Sequence, residues 1–256
     1  MAAVNRVRAA DAPTGLRYLR EPAFPVPFLR LVGRLDEATG GRLRTSLDET
    51  LADEPVGIVL DASGLTAGED GSLPLIRTFA ETAGQWPGCP VVLCAPSTQL
   101  AETLDRLEVT PAVPVHETAA TAVAAVQATP PAGRYGRRLP AVPSSARLAR
   151  ALVKEACVAW RVDELVTEAQ ILVTELVGNA VQYAGGDVGV VIRRTENLLH
   201  LGVYDRSPVA PVLGTPDPAV AESGRGLVLV DAIAAAWGDL PAGGGKLVWA
   251  TLGLPD

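Results

Sequence analysis

Lysine is almost missing from this chain: Lys154 and Lys246 are the only lysines among its 22 basic residues. That bias, with abundant alanine, glycine and valine, looks like GC-rich bacterial codon usage and carries no mechanistic weight. Positive charge is short as well. The net charge is −7, whereas binding to nucleic acid needs a basic face, so no direct nucleic-acid partner is expected. Cys89, Cys94 and Cys157 are odd in number and lack metal-ligand spacing, which predicts reduced thiols in a cytoplasm and argues against a zinc site. No run reaches the ~18 apolar residues of a membrane span. Met1 to Gly15 carries Arg6 and Arg8 without an apolar centre, so a signal peptide is not expected either. What remains is a globular composition, 48% hydrophobic and 20% charged over 256 residues, enough for one large domain or two ordinary ones.

The pattern breaks between Ala128 and Ser145. Pro130, Pro131, Gly133, Gly136, Pro140 and Pro143 interrupt any hydrophobic period, and the stretch reads as a flexible linker over 129–145. Arg134, Arg137 and Arg138 within it read as a solvated tether rather than an anion patch. Before it, apolar runs Phe28–Val32, Val56–Leu60 and Val91–Cys94 predict strands. Leu43, Leu47 and Leu51 at i, i+4, i+8 predict a helix over Gly40–Ala52, followed by helices Leu73–Ala83, Leu100–Leu107 and Ala119–Ala128. Strand–helix alternation predicts an α/β domain over 16–128.

After the linker, helices come first: Ala146–Trp160 and Glu164–Ala184, the second with Asp163 as its expected N-cap. Strands Val188–Arg193 and Leu198–Tyr204 follow as a hairpin. A Pro- and Gly-rich loop Arg206–Gly226, a helix Leu227–Trp237 and a strand Leu247–Leu252 complete an α+β sandwich over 146–256 with one helical layer.

Polar residues interrupt this second half at particular places. Glu175 and Asn179 sit at i, i+4 beside the apolar surface of their helix and point the same way. Such groups either line a polar cavity or pair with backbone. Asp205 shares strand parity with Leu199, Leu201 and Val203, so a continued strand turns it inward, where a carboxylate needs a donor. Gly224 and Gly226 stand just before a helix, where unshielded backbone N–H groups can face an anion. Gly243-Gly-Gly-Lys246 is not a P-loop, because no Ser or Thr follows the lysine and a strand comes next. His200, on the polar parity of its strand, and His116 read as structural. Trp160, Trp237 and Trp249 read as core aromatics.

In order, these strings resemble the N, G1 and G2 boxes of the Bergerat (GHKL) ATPase fold. Thr174-Glu-Leu-Val-Gly-Asn-Ala-Val-Gln-Tyr-Ala184, Val203-Tyr-Asp-Arg-Ser-Pro208 and Glu222-Ser-Gly-Arg-Gly-Leu-Val-Leu-Val-Asp231 narrow the resemblance to the RsbW-type anti-sigma-factor serine kinases. It spans roughly Pro140 to Leu252. It implies ATP with Mg2+, Asn179 as the metal ligand, Glu175 as general base, Asp205 as the adenine contact, and Gly224, Arg225 and Gly226 at the phosphates. Two departures are visible: Leu247 stands where the family often has a small hydroxyl residue, and Ser207-Pro208 where other branches have glycines.

The first half is similar to the STAS fold of anti-sigma-factor antagonists, through Leu31-Val-Gly-Arg-Leu-Asp36 and Val59-Leu-Asp-Ala-Ser-Gly-Leu65. That family carries an acid-Ser-Ser-Gly turn whose second serine takes phosphate. Here the turn reads Glu69-Asp70-Gly71-Ser72, so the acceptor position is Gly71 and Ser72 reads as a helix cap. The resemblances together imply a cytoplasmic partner-switching regulator of transcription. Its partner would be a sigma factor or an antagonist protein, and a homodimer is compatible with the resemblance. The alternative is a non-enzymatic docking module in which ATP is structural or absent. A sensor histidine kinase fragment is disfavoured, since no phosphoacceptor histidine precedes the ATPase half. Because Glu69 and Asp70 imitate a phosphorylated turn, the N-terminal domain is expected to leave the nucleotide face open.

Overall fold

A computed structural model describes residues 17–20, 26–67, 72–129, 133–183, 186–211 and 225–255. The first half contains β1 (Arg17–Arg20), β2 (Phe28–Leu35), α1 (Glu37–Ala52), β3 (Ile58–Ala67), α2 (Pro74–Gln85), β4 (Val91–Cys94), α3 (Thr98–Arg106), β5 (Val115–His116) and α4 (Ala119–Ala128). Helix α1 starts where Asp36 and Thr39 cap each other. The Asp36 carboxylate accepts the Thr39 N–H at 3.1 Å, and the Thr39 hydroxyl accepts the Asp36 N–H at 2.9 Å. Its expected stripe of Leu43, Leu47 and Leu51 is fully buried. The strands align in the order β1-β2-β3-β4-β5, parallel except for β1. Helix α4 covers one face over Phe28, Val59 and Val92, and the leucines of α1, α2 and α3 cover the other. Covering both faces explains why β2, β3 and β4 read as nearly continuous apolar runs. The α/β expectation therefore holds.

The second half contains β6 (Gly133–Leu139), α5 (Ser145–Trp160), α6 (Val166–Tyr183), β7 (Val188–Arg194), β8 (Leu198–Asp205), α7 (Arg225–Ile233), β9 (Ala236–Ala242) and β10 (Gly245–Gly253). The strands form an antiparallel sheet in the order β6-β7-β8-β10-β9. Helices α5, α6 and α7 lie on one face, where Leu172, Leu176 and Val230 meet Ile192, Leu201 and Val203. This is the expected α+β sandwich with one helical layer.

Three expectations about element boundaries fail. The linker over 129–145 is not a tether throughout, because β6 pairs with β7 from Gly133↔Arg194 to Leu139↔Val188. As an edge strand it tolerates arginines, while Tyr135 packs edge-on to Trp160 with ring centroids 5.2 Å apart. Asp163 does not cap α6. It opens a short 3-10 turn, Asp163–Leu165, and α6 begins at Val166. The helix expected to run to Trp237 stops at Ile233, and Trp237 lies in β9. There the pairing of β9 with β10 outweighs the helix propensity of the alanine run, and Gly244 turns the hairpin at φ +89°. All three cysteines are free and buried. Burial pushes the thiols up to about 12 at Cys89 and about 11 at Cys94 and Cys157. Among the described residues no helix is long and apolar enough to cross a membrane.

The two sheets share a core. Leu240, Leu247, Trp249 and Val191 on the far face of the second sheet belong to the same buried cluster as the leucines of α1. Trp86, fully buried after α2, lies on Gly202 of β8 so closely that any Cβ there would overlap its ring. Polar contacts close the rim. Tyr204 Oη donates to the Ala52 carbonyl at 2.7 Å, and Arg134 Nε donates to Glu54 at 2.8 Å. The N-terminal domain thus sits on the sheet face opposite α5, α6 and α7. Its Glu69–Gly71 turn lies outside the described residues. Ser72 precedes α2 with Leu73 at the N-cap position, so it is not itself the cap.

His200 is buried within this interface. Its Nδ1 donates to the Gln85 carbonyl at 2.6 Å, and its Nε2 lies 3.1 Å from the Thr195 hydroxyl. Burial, reinforced by the nearby Arg193 charge, pushes the imidazole down to about 4. The folded state therefore holds His200 neutral while the unfolded chain protonates it near 6.5, so stability is full above that pH and falls as pH drops toward 4. Thermal melts over this range should reveal a loss on the order of 3 kcal/mol that His200→Gln abolishes.

Candidate nucleotide site

Helix α6 buries Leu172, Val173, Leu176, Val177 and Ala180. This seating leaves Glu175 and Asn179 half-buried one turn apart beside the core. Glu175 reaches the start of α7, where a Cβ at Gly226 would stand 2.5 Å from its Oε2. Glycine is therefore required there for the carboxylate to approach the helix N-terminus, an end that favours negative charge. Arg225 is the first residue of α7. Gly224 and most of the loop expected over Arg206–Gly226 lie outside the described residues.

Asp205 ends β8 with its side chain 2% exposed. Strand parity with Leu199, Leu201 and Val203 puts it on the face covered by α5, α6 and α7. Two donors already hold it. Oδ1 accepts the Ser207 N–H at 2.7 Å and Lys246 Nζ at 3.0 Å. Lys246 was not expected at the site. The register of β10 on β8 sets it opposite Asp205, and its parity with Val248, Ala250 and Leu252 was the available signal. The glycine run before it is the β9–β10 turn, as the absence of a P-loop requires. Leu247, at the position where the resembled family often has a hydroxyl, faces the N-terminal domain instead.

Residues 139–251 match the family model of the histidine kinase-like ATPase domain. The match takes in Glu175, Asn179, Asp205 and Gly226, and thus the elements that meet on the helical side of the sheet. Comparison with curated proteins finds no match. Among solved structures, a crystal structure of an anti-sigma factor antagonist from Mycobacterium paratuberculosis is similar at 24% identity with a TM-score of 0.39. That similarity covers 46% of this chain and 99% of the other.

On the opposite side of the ATPase domain's sheet, a cleft of about 680 Å³ runs between the end of α1 and the strands β6 and β7. Arg134, Arg138 and Asp187 line it with Glu54, and the charges of Glu54 and Arg134 already neutralise each other. Its mixed charge and its side of the sheet set it apart from Glu175 and Asn179. Among the described residues, no group of three or more His, Cys, Asp or Glu side chains is placed to hold a metal by itself. A cation at this site would need ligands from the nucleotide as well.

Breaking the Asp205–Lys246 pair from one side leaves a buried charge alone. Lys246→Met should destabilise the ATPase domain by about 3–5 kcal/mol. The double variant Lys246→Met/Asp205→Leu should recover most of that loss in urea denaturation.

Proposed function

We propose that the chain is an ATP-dependent regulator of the partner-switching type, an anti-sigma factor or protein serine/threonine kinase carrying a STAS-like docking domain at its N-terminus. The observation that carries this reading is the approach of Glu175 to Gly226, which sets the carboxylate of α6 against the first turn of α7 within a stretch that matches the histidine kinase-like ATPase domain. The groups present suit Mg-ATP. Asn179 offers an amide oxygen for the metal, the start of α7 offers N–H groups for phosphate, and Asp205 keeps acceptor capacity on Oδ2 for the adenine amine. Bound magnesium would offset the charge of the triphosphate. Glu175 would take the proton from a serine or threonine hydroxyl of the partner. The position of the N-terminal domain on the other sheet face leaves this side to a partner in trans.

A docking module without turnover is the second reading, and the Asp205–Lys246 ion pair favours it, because a buried lysine already engages the carboxylate that would contact adenine. Incubation with labelled ATP and a panel of antagonist proteins separates the two. Phosphate transferred to a partner supports the kinase, and none transferred to any supports docking.

Two substitutions test the residue roles. Asp205→Ala should weaken ATP binding roughly 10- to 100-fold by calorimetry, the worth of one charge-assisted bond. Glu175→Gln should keep nucleotide affinity while lowering phosphoryl transfer about 100- to 10,000-fold. Unchanged transfer in that variant would remove Glu175 from the role of base.

A further inference from the structure

Lys246 Nζ lies 3.0 Å from each Asp205 oxygen and 3.4 Å from the Ser207 carbonyl oxygen. An ammonium has three N–H donors and a carboxylate about four acceptor sites. Among the described residues, hydrogen bonds to Asp205 Oδ1 and to the Ser207 carbonyl take two of these donors, with Oδ2 beside the first, which leaves one N–H on Nζ and a lone pair on Oδ2 for a ligand. Both side chains are over nine-tenths buried, at 9% and 2% exposure. A charged pair this deep is costly to leave partly bonded, because the low local dielectric raises the penalty of every unmade hydrogen bond.

A ligand that presents a donor beside an acceptor would complete both groups at once. The pairing edge of adenine has that pattern, with the exocyclic amine next to the ring nitrogen N1. We propose that Lys246 is a base-reading residue: Asp205 Oδ2 accepts from the adenine amine while Lys246 Nζ donates to N1. The inference rests on the nucleotide reading above and adds to it a residue that the ATPase resemblance leaves without a role. It also gives the departure at Leu247 a physical account. With Leu247 turned into the core shared with the N-terminal domain, the neighbouring Lys246 is the β10 side chain that faces the carboxylate.

The test compares ligands on the full wild-type chain by calorimetry with Mg2+: ATP, 1-deaza-ATP, in which a C–H replaces N1, and purine riboside triphosphate, which lacks the amine. Each analogue should bind roughly 10- to 100-fold more weakly than ATP, because each leaves one buried charged group without its partner. Lys246→Met should bind ATP no better than the wild type binds 1-deaza-ATP. That variant should not distinguish these two ligands, yet should still reject the amine-less analogue. Equal wild-type affinity for ATP and 1-deaza-ATP overturns the inference and leaves the nucleotide reading standing. Failure of the wild type to bind ATP at all overturns both. Should Lys246→Met fail to fold, the wild-type comparison decides alone.

Discussion

The indole of Trp86 packs so closely on Gly202 that no Cβ fits between them, and the shared core of the two sheets closes around that contact. An antiparallel sheet with helices on one side presents its other side to water unless something covers it. Here α1 and α2 of the N-terminal domain provide the cover, so Val191, Leu240, Leu247 and Trp249 are buried by residues more than a hundred positions earlier in the chain. The same helices bury their leucines on the first sheet. The layers accordingly run helix, sheet, helices, sheet, helices, with α1 and α2 serving two cores.

Polar groups at the rim of this interface are satisfied across it. Glu54, at the end of α1, takes Arg134 from the edge strand β6 and lies 3.6 Å from the buried Arg193. His200 and Thr251 both bond Gln85, one to its carbonyl and one to its side chain. Bonds of this kind add little net stability each, but leaving any of them unmade in the interior is costly. They favour one relative placement of the domains over others that would bury the same apolar area. That placement puts the candidate site on the free side of the ATPase domain, with its only covering layer α5, α6 and α7 among the described residues.

How much could be read in advance depended on whether a residue's neighbours were local. Leu43, Leu47 and Leu51 announce α1 because a helix face repeats within the window. Glu175, Asn179 and Asp205 stand out as candidates for a similar reason: polar residues interrupt an apolar period. Strand β6 was hidden because an edge strand needs apolar residues on one side only, and Arg134, Arg137 and Arg138 resemble a solvated tether. Strand β9 was hidden behind alanines that suit a helix equally well. Lys246 was set aside along with the glycine turn before it, since nothing adjacent in the chain indicates that Asp205 stands opposite.

The amino-acid sequence by itself determined the two-domain division, the α/β and α+β classes and the polar residues of the ATPase half, because each depends on spacing within a few turns or strand positions. The tertiary structure alone decided the seating of the N-terminal domain on the outer sheet face, the burial of a neutral His200 and the pairing of Lys246 with Asp205. These join residues 41 to 166 positions apart, and contacts at such separations arise from sheet register and shape complementarity, which no local period encodes.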